Sequence, residues 1–361
     1  PRFFSRYGAP IESVTTFLKS LRPPDVIFLT SSMTYWYTGV KETADLLREL
    51  FPKAHLVLGG IYATLMPEHA RENIRPDTLV IGMGEPMLHN FLAEWTKEPL
   101  PLQAPVESLR KVWKHYPVLK SYPLLTSRGC PYDCSFCASK ILNPLFEQIR
   151  PQVVLEEIQY AFDERGLSNF VFYDDALFSQ PTHHIKPLLH GINRWGKKLS
   201  FHTPNGLLPR FIDQELAELM ATAGFVQPRL SLETTNPKRL TDISNKVTRD
   251  HYKTALHHLH TVGYSPAQII TYLIMGLPGQ NTQEVRDTVD FVFDSGATCT
   301  LSSFSPIAGT KEYERTNLPM DIDPLLLNTT VFACSFSPDK INEVEELRLY
   351  VKERNHRSAH S

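Results

Sequence analysis

The chain has 361 residues, which is enough for two domains of ordinary size. Lysine and arginine number 37 against 39 aspartate and glutamate, the formal net charge is -2, and 42% of the residues are hydrophobic. This balance lacks the basic excess of a general nucleic-acid-binding or membrane-surface protein. No apolar run reaches the roughly 18 residues of a membrane span and no signal peptide is visible, so we expect a cytoplasmic protein.

The first hundred residues alternate short apolar strands with helical patterns. Strands are predicted over 25–30, 55–58 and 78–81. Helices are predicted over 9–21, 40–51 and around 67–73, and after Glu85 to about Trp95, with loops expected over 31–39 and 82–85. Alternation of this kind implies right-handed crossovers and a parallel sheet, whose ligands bind at the carboxyl ends of the strands.

Small residues stand at all three of these strand ends, where glycine would let a ligand approach the backbone closely. The pattern resembles the later half of the Rossmann-like cobalamin-binding domain that precedes many radical S-adenosylmethionine (SAM) domains. In that family these positions receive the nucleotide tail and the corrin. The resemblance implies cobalamin contacts at Ser31, Ser32, Gly59, Gly60, Gly82, Gly84 and Glu85.

The resemblance is incomplete at the N-terminus. The family domain has two earlier strands, and some members carry a D-x-H-x-x-G loop whose histidine ligates cobalt. Residues 1–24 supply neither, and the chain begins at Pro1 without an initiator methionine. We therefore expect a domain whose N-terminal strands are missing from this sequence. A degenerate half-domain that binds no cofactor is the alternative, and Tyr35–Tyr37 fit either a cofactor cleft or interface packing.

A proline-punctuated stretch separates this region from the rest of the chain. The expected organisation is a cobalamin-binding domain over 1–97, a linker over 98–120, a barrel over 121–315 and a C-terminal helical extension over 316–361. The predicted fold class is α/β, with a partial Rossmann-like domain followed by a (β/α)6 partial TIM barrel.

Three of the five cysteines, Cys130, Cys134 and Cys137, lie in one loop with the spacing C-x3-C-x2-C. Thiolates this close favour zinc or an iron–sulfur cluster. A closed zinc site needs a fourth ligand, and none follows within the next turns. Three ligands on a four-iron cluster would leave one iron open for a substrate.

This spacing, with Phe136 just before the last cysteine, resembles the cluster loop of radical SAM enzymes. The resemblance implies a [4Fe-4S] cluster on the three cysteines, with SAM chelating the open iron and Phe136 against the adenine. In that family an electron from the cluster cleaves SAM to a 5′-deoxyadenosyl radical. A zinc knuckle, or a disulfide with one spare thiol, remains the alternative reading of the residues.

Six strand–helix units are predicted after the linker, with strands over 122–126, 169–173, 199–203, 227–235, 269–275 and 299–305. An amphipathic helix over 151–165 follows the cysteine loop, and a charged helix over 339–355 is expected to fold over the barrel. By analogy with complete barrels, the site should lie at the carboxyl ends of the strands.

The resemblance also implies a SAM site. In the family a carboxylate after the second strand holds the ammonium group, and polar residues of the fourth strand hold the ribose and the carboxylate. The implied residues are Phe136, Asp174, Asp175, Asn205, Arg229, Ser231, Glu233, Gly276, Leu277 and Pro306. The alternatives are a helix-capping pair at 174–175 and a polar barrel layer at 229–233. The usual glutamate after the fifth strand is absent, and Glu284 lies nearer the next helix.

The leading hypothesis is a cobalamin-dependent radical SAM methyltransferase acting on an unactivated carbon of a small molecule or lipid. Cyclisation, rearrangement or carbon–carbon coupling without methyl transfer is the first alternative. A non-catalytic iron–sulfur sensing protein is the second. An open cluster predicts oxygen sensitivity, hence anaerobic handling, and a reductase, flavodoxin or ferredoxin as electron donor. From the charge balance and the lack of a long apolar run, we expect neither a nucleic-acid partner nor a membrane span. The isolated Cys334 is either a buried thiol or a group near the substrate.

Overall fold

The structure is a computed structural model that describes residues 7–97, 110–113, 115–116, 118–244, 246–319, 321–329 and 341–360. Cys334 and much of the expected linker lie outside these residues. The chain divides into two compact units. Unit 1 comprises residues 1–102, 307–309 and 317–332, and unit 2 comprises 103–306, 310–316 and 333–361.

Unit 1 is built on a parallel sheet in the order β1-β2-β3. Its described strands are β1 (Val26–Ser31), β2 (His55–Gly60) and β3 (Thr78–Leu79). Its described helices are α1 (Ile11–Lys19), α2 (Tyr37–Leu50), α3 (Ile61–Leu65), α4 (Pro67–Ile74) and α5 (Gly84–Thr96), with 3-10 turns at Thr34–Trp36 and Pro324–Leu327. Leu58 of β2 is fully buried among α2, α3 and α4, which form the core of this unit.

Two local expectations in unit 1 were wrong. The residues after Thr34–Trp36 are helical rather than a loop, since α2 begins at Tyr37. Gly84 and Glu85 lie in the first turn of α5 rather than in the loop after the strand. An acidic residue in the first turn stabilises a helix N-terminus, so Glu85 has a structural role in α5.

Unit 2 contains the remaining described elements. Its strands are β4 (Tyr122–Leu124), β5 (Ser127–Arg128), β6 (Glu147–Gln148), β7 (Asn169–Phe172), β8 (Ser200–His202), β9 (Arg229–Glu233), β10 (Ile270–Met275) and β11 (Thr298–Ser303). Its helices are α6 (Arg110–Trp113), α7 (Ser139–Leu142), α8 (Pro151–Arg165), α9 (Ile185–Trp195), α10 (Gln214–Ala223), α11 (Pro237–Ile243), α12 (Arg249–Thr261), α13 (Thr282–Asp294), α14 (Lys311–Arg315) and α15 (Ile341–His360). Neither α9 nor α11 was predicted from the sequence.

The six main strands of unit 2 run parallel in chain order, as a partial barrel requires. They form two three-stranded sheets, β4-β7-β8 and β9-β10-β11. Isolated parallel bridges, Phe201 to Phe225 and Leu207 to Leu230, connect the two sheets. The N–H of Leu207 donates to the Arg229 carbonyl at 2.6 Å. The predicted fold class is therefore confirmed.

Aromatic rings fill the layer between the first sheet of unit 2 and its helices. Phe170, Phe172, Phe201 and Phe225 are buried, with neighbouring ring centres 5.4–6.0 Å apart. Burying a phenylalanine stabilises a fold by roughly 1.5–3 kcal/mol. Glycines in the left-handed conformation end the adjoining helices, as Gly166 does for α8.

The helix α15 covers the edge strand β11. Leu347 and Val351 are buried in the core of unit 2. The Asn355 side chain accepts from the backbone N–H of Cys299 at 3.2 Å and donates to its carbonyl at 2.8 Å. It thus satisfies the hydrogen-bonding groups that an edge strand would otherwise expose. No helix in the described part of the chain is long and apolar enough to cross a membrane.

Candidate functional site

The cysteine loop begins after β5 and ends before β6, and these two short strands pair in the antiparallel direction. Gly129 starts the loop at φ +72°, and a Cβ built on it would lie 2.3 Å from the Leu145 carbonyl oxygen. A side chain cannot be accommodated there without moving backbone. The loop is therefore closed tightly at its base by a residue that has no side chain.

The three cysteines are unbridged thiols at one side of this loop. Cys130 and Cys134 are half-buried and Cys137 is exposed. Burial raises the pKa of the Cys134 thiol to about 11, although the charge of Lys246 acts in the opposite direction. Burial also raises the pKa of Cys130, and Cys137 and Asp175 add to that rise. The described cysteines form no disulfide in this structure.

Three unbridged thiols in one loop are the donor set that an iron–sulfur cluster binds, with one thiolate on each of three irons. Among the described residues, no group of three His, Cys, Asp or Glu side chains is arranged for a single metal ion. Binding would displace the thiol protons that the raised pKa values retain.

Asp174 anchors the root of the cysteine loop. Its Oδ1 accepts from the Thr126 N–H at 3.0 Å, the Thr126 hydroxyl at 2.8 Å and the Ser127 hydroxyl at 2.5 Å. The Thr126 hydroxyl also lies 2.9 Å from Nε2 of His184, which is compatible with an Nε2–H donor. Burial raises the pKa of Asp174 and lowers that of His184 to about 4. Oδ2 of Asp174 is buried and lacks a hydrogen-bond partner in the described structure.

The neighbouring Asp175 has a different environment. It is exposed, and its charge acts on Cys130. Asn205 is brought to the same strand end, where its amide donates to the carbonyls of Tyr173 at 2.9 Å and Asp174 at 3.2 Å. Of the two aspartates proposed for the SAM ammonium group, Asp175 is thus the accessible one.

A buried ion pair lies beside the cysteines. Nζ of Lys246 is 3.1 Å from Oε1 of Glu233, and the two side chains are 11% and 9% exposed. Nζ is also 5.9 Å from the centre of the Phe136 ring. Burial opposes the charged lysine, but Glu233, Cys134 and Cys130 outweigh it and raise the pKa of Lys246. Sequence reasoning missed Lys246, because no motif marks it.

Hydrogen bonds of Ser135, which sequence reasoning also missed, attach the cysteine loop to α11 and α14. Ser135 donates its N–H to the Ile243 carbonyl at 2.7 Å and its hydroxyl to Glu312 at 2.7 Å. The N–H of Glu312 donates back to the Ser135 carbonyl at 3.0 Å, and Arg315 pairs with the Glu312 carboxylate at 2.6 Å. Glu312 lies 177 positions from Ser135 in the chain, so only the fold brings them together.

The fourth strand presents Arg229, Ser231 and Glu233 in different environments. Arg229 donates to the Tyr272 hydroxyl at 2.8 Å and lines a cavity of about 90 Å³ with Tyr173 and His202. The Ser231 hydroxyl lies 1.9 Å from where a Cβ of residue 206 would be, so a side chain at Gly206 would require this hydroxyl to move. Glu233 is four residues beyond Arg229, about 13 Å along a strand. The cysteines therefore interact with the Glu233 end of this strand.

The turn that follows the fifth strand is held by hydrogen bonds from the side chain of Gln280. Gln280 accepts from the N–H groups of Gly276 at 2.8 Å and Leu277 at 3.2 Å, and it donates to the Ile274 carbonyl at 3.1 Å. Glu284 pairs with Arg239 of α11 at 2.6 Å. Glu284 therefore joins α13 to α11. Pro306, at the end of the sixth strand, is buried.

In unit 1 the strand-end residues are largely occupied by internal contacts. Ser31 is buried, donates to the Gly59 carbonyl at 2.7 Å and accepts from the Ala63 N–H at 3.2 Å. A Cβ on Gly60 would lie 2.2 Å from the Ser31 carbonyl oxygen, whereas Gly82 has open space around it. Gly60 is therefore required by packing against β1. Ser32 is exposed and Gly82 is half-buried with open space around it, so these two members of the proposed cobalamin set are accessible to a ligand.

Comparisons with known proteins agree with this geometry. The B12 binding domain family matches residues 7–92, and the radical SAM superfamily matches residues 124–292. The cytidylyl-2-hydroxyethylphosphonate methyltransferase of Streptomyces wedmorensis is 21% identical, over 85% of this chain and 69% of that protein. The anaerobic magnesium-protoporphyrin IX monomethyl ester cyclase of Rubrivivax gelatinosus is 23% identical, over 75% of this chain and 54% of that protein.

Solved structures share the fold. The radical SAM methyltransferase TsrM from Kitasatospora setae, with cobalamin and a [4Fe-4S] cluster bound, has a TM-score of 0.67 at 19% identity, over 84% of this chain and 69% of that one. The cobalamin-dependent SAM radical enzyme OxsB has a TM-score of 0.62 at 16% identity, over 87% of this chain and 49% of that one. The chain thus spans about half to seven tenths of the length of these proteins. The two family matches, the fold and the cysteine loop together show that the chain contains a B12-binding domain over 7–92 followed by a radical SAM domain over 124–292.

Proposed function

We propose that this chain is a cobalamin-dependent radical SAM methyltransferase that methylates an unactivated carbon of a small molecule or lipid. The observation that carries the proposal is the set of three unbridged thiols beside Asp175 and Glu233 in unit 2, downstream of a B12-binding domain. When bound, the cluster and cobalamin would supply the electron that cleaves SAM and the methyl carrier. Methyltransferases among the relatives support this reaction class.

Each residue of the site has a role in this proposal. Cys130, Cys134 and Cys137 would bind three irons as thiolates. Asp175 is accessible beside Cys130 and would accept from the SAM ammonium group, because a carboxylate makes a charge-assisted hydrogen bond with such a donor. The face of Phe136 would lie against the adenine. Arg229 and Tyr272 would orient a polar end of the substrate in the cavity that Arg229 lines.

The test is anaerobic reconstitution with iron and sulfide, followed by addition of cobalamin, SAM and dithionite. We expect a reducible four-iron signal, release of 5′-deoxyadenosine and formation of S-adenosylhomocysteine. Cys134→Ala should lose the cluster and both products, because one of three ligands is gone. Cys299→Ala is the matched control, since Cys299 is a buried thiol of β11 outside the cysteine loop. An unchanged Cys134→Ala enzyme would contradict the proposal.

A second candidate is cyclisation or rearrangement without methyl transfer. It is favoured by the cyclases among the relatives. The same assay separates the two, since this reaction releases 5′-deoxyadenosine without S-adenosylhomocysteine. A cluster that forms but leaves SAM intact would indicate a non-catalytic iron–sulfur protein, and zinc in place of iron would overturn the entire reading.

The reaction also needs an electron donor. We propose a one-electron donor of the flavodoxin or ferredoxin type, and the exposed position of Cys137 would leave the centre accessible to it. A reducing cytoplasm would keep the thiols unbridged.

A further inference from the structure

Lys246 occupies an unusual position for a lysine. Its side chain is 11% exposed, and its ion-pair partner in the described structure is Glu233 at 3.1 Å. A buried ammonium is costly unless charged or polar neighbours compensate for the water it loses. The charges that act on Lys246 are those of Glu233, Cys134 and Cys130, and its ammonium group lies 5.9 Å from the centre of the Phe136 ring. Three of these four belong to the cysteine loop.

The backbone around the pair is also specialised. Glu233 ends β9 with φ +68°, in the left-handed region that costs a non-glycine residue about 1–2 kcal/mol. Lys246 follows α11, whose Ile243 carbonyl receives the N–H of Ser135 from the cysteine loop. The left-handed residue Glu233 thus pairs with a little-exposed cation whose charge acts on Cys130 and Cys134. Simple packing would be served better by an apolar side chain.

Resting on the proposed function, we propose that Lys246 is the counter-charge of the iron–sulfur centre. Its ammonium group, held by Glu233, favours Cys130 and Cys134 as iron-bound thiolates. It also favours the reduced centre, because one-electron reduction adds a negative charge that a nearby cation stabilises. Lys246 is thus a positioning residue, because it acts on the reaction through the iron–sulfur centre. The electron for the reduction comes from dithionite or from a flavodoxin-type protein.

The experiment is a redox titration of the reconstituted chain, followed by electron paramagnetic resonance and performed without SAM. Lys246→Met keeps a long side chain and removes the charge. We expect its centre to have an equilibrium constant for reduction about tenfold smaller, which is a midpoint about 59 mV more negative. Lys246→Arg keeps the charge and should restore most of the wild-type value.

Glu233→Gln tests the sign of the electrostatic effect on the midpoint potential. It removes the negative partner of Lys246, so the midpoint should become less negative than that of the wild type. The double variant Lys246→Met/Glu233→Gln should have a midpoint closer to the wild-type value. A structural disturbance would not produce opposite shifts from the two single variants. Lys186→Met is the matched control, because Lys186 is also little exposed, at 11%, but pairs with Asp213 and Glu215 away from the cysteine loop. Its midpoint should not change.

Equal midpoints in the wild type, Lys246→Met and Glu233→Gln would overturn the inference. So would a SAM affinity that falls in Lys246→Met while the SAM-free midpoint stays constant, since the lysine would then serve SAM rather than the centre. If Lys246→Met retains no cluster, Glu233→Gln and Lys246→Arg decide the question. A wild type that assembles no four-iron centre would contradict the proposed function as well, so the two failures are distinguishable.

Discussion

The cysteine loop of unit 2 and the strand ends of unit 1 both carry a small-residue motif, but they use it differently. Gly129 and Gly60 each make room for a neighbouring carbonyl, from Leu145 and Ser31 respectively. Around Gly129 the loop still leaves three thiols unbridged. Around Gly60 the side chain of Ser31 is already occupied by two internal hydrogen bonds. A glycine thus indicates close backbone contact, whereas the chemistry must come from the reactive side chains nearby.

Gly60→Ala would test this contrast most strongly. We expect it to destabilise the chain by roughly 4 kcal/mol, because Gly60 combines a glycine-only backbone conformation, φ 97° and ψ -167°, with a collision against β1. Gly82→Ala is the control, with positive φ but free space, and should cost about 1 kcal/mol. Denaturant unfolding measures both. If Gly60→Ala kept full stability and only weakened cobalamin binding, the glycine would serve the ligand instead.

The paired aspartates after β7 offer a smaller effect within unit 2. Asp174→Ala would leave three donors from Thr126 and Ser127 without their acceptor, at a cost of about 3 kcal/mol, and should lower iron loading because the loop root loosens. Asp175→Ala should change stability by less than about 0.5 kcal/mol, since the residue is exposed. It should instead weaken SAM binding about tenfold. Calorimetry of SAM binding and thermal unfolding would separate the two roles. The assignment is wrong if both variants behave alike.

The titration of His184 should have little effect on the free energy of unfolding at neutral pH and an increasing effect as the pH falls. Burial lowers its pKa to about 4 in the folded chain, whereas an unfolded histidine titrates near 6.5. Below about pH 6.5 the unfolded state binds the extra proton, so stability is intact above that value and falls as the pH approaches 4. The loss reaches about 3 kcal/mol at pH 4.

His184→Gln keeps an amide donor near Thr126 and removes the titration. Its unfolding free energy should therefore depend less on pH between 6.5 and 4 than that of the wild type. The adjacent and exposed His183 gives the control variant His183→Gln, which should leave the wild-type pH dependence in place. Identical pH profiles for the wild type and His184→Gln would refute the role of this histidine.

Most of the fold was predictable from local patterns. The six strands of the partial barrel and helix α8 were placed to within a few residues, because alternation, apolar runs and a terminal Pro151–Gly166 pair are local signals. The short helix α11 and the helix α9 were missed. The predicted fold class and the radical SAM and B12-binding domains are confirmed, while the reaction and the roles of individual SAM and cobalamin residues stay predictions.

The sequence by itself determined the chemistry of the cysteine loop, because three thiols within eight residues must lie together in any fold. Only the tertiary structure decided which charges surround them. Lys246, Glu233 and Glu312 come from separate elements, up to 177 positions away from the loop residue they contact. It also decided that Asp174 is buried while Asp175 is exposed, although the two are adjacent and chemically identical. Burial and ion pairing depend on the packing of distant elements, and no local pattern encodes that packing.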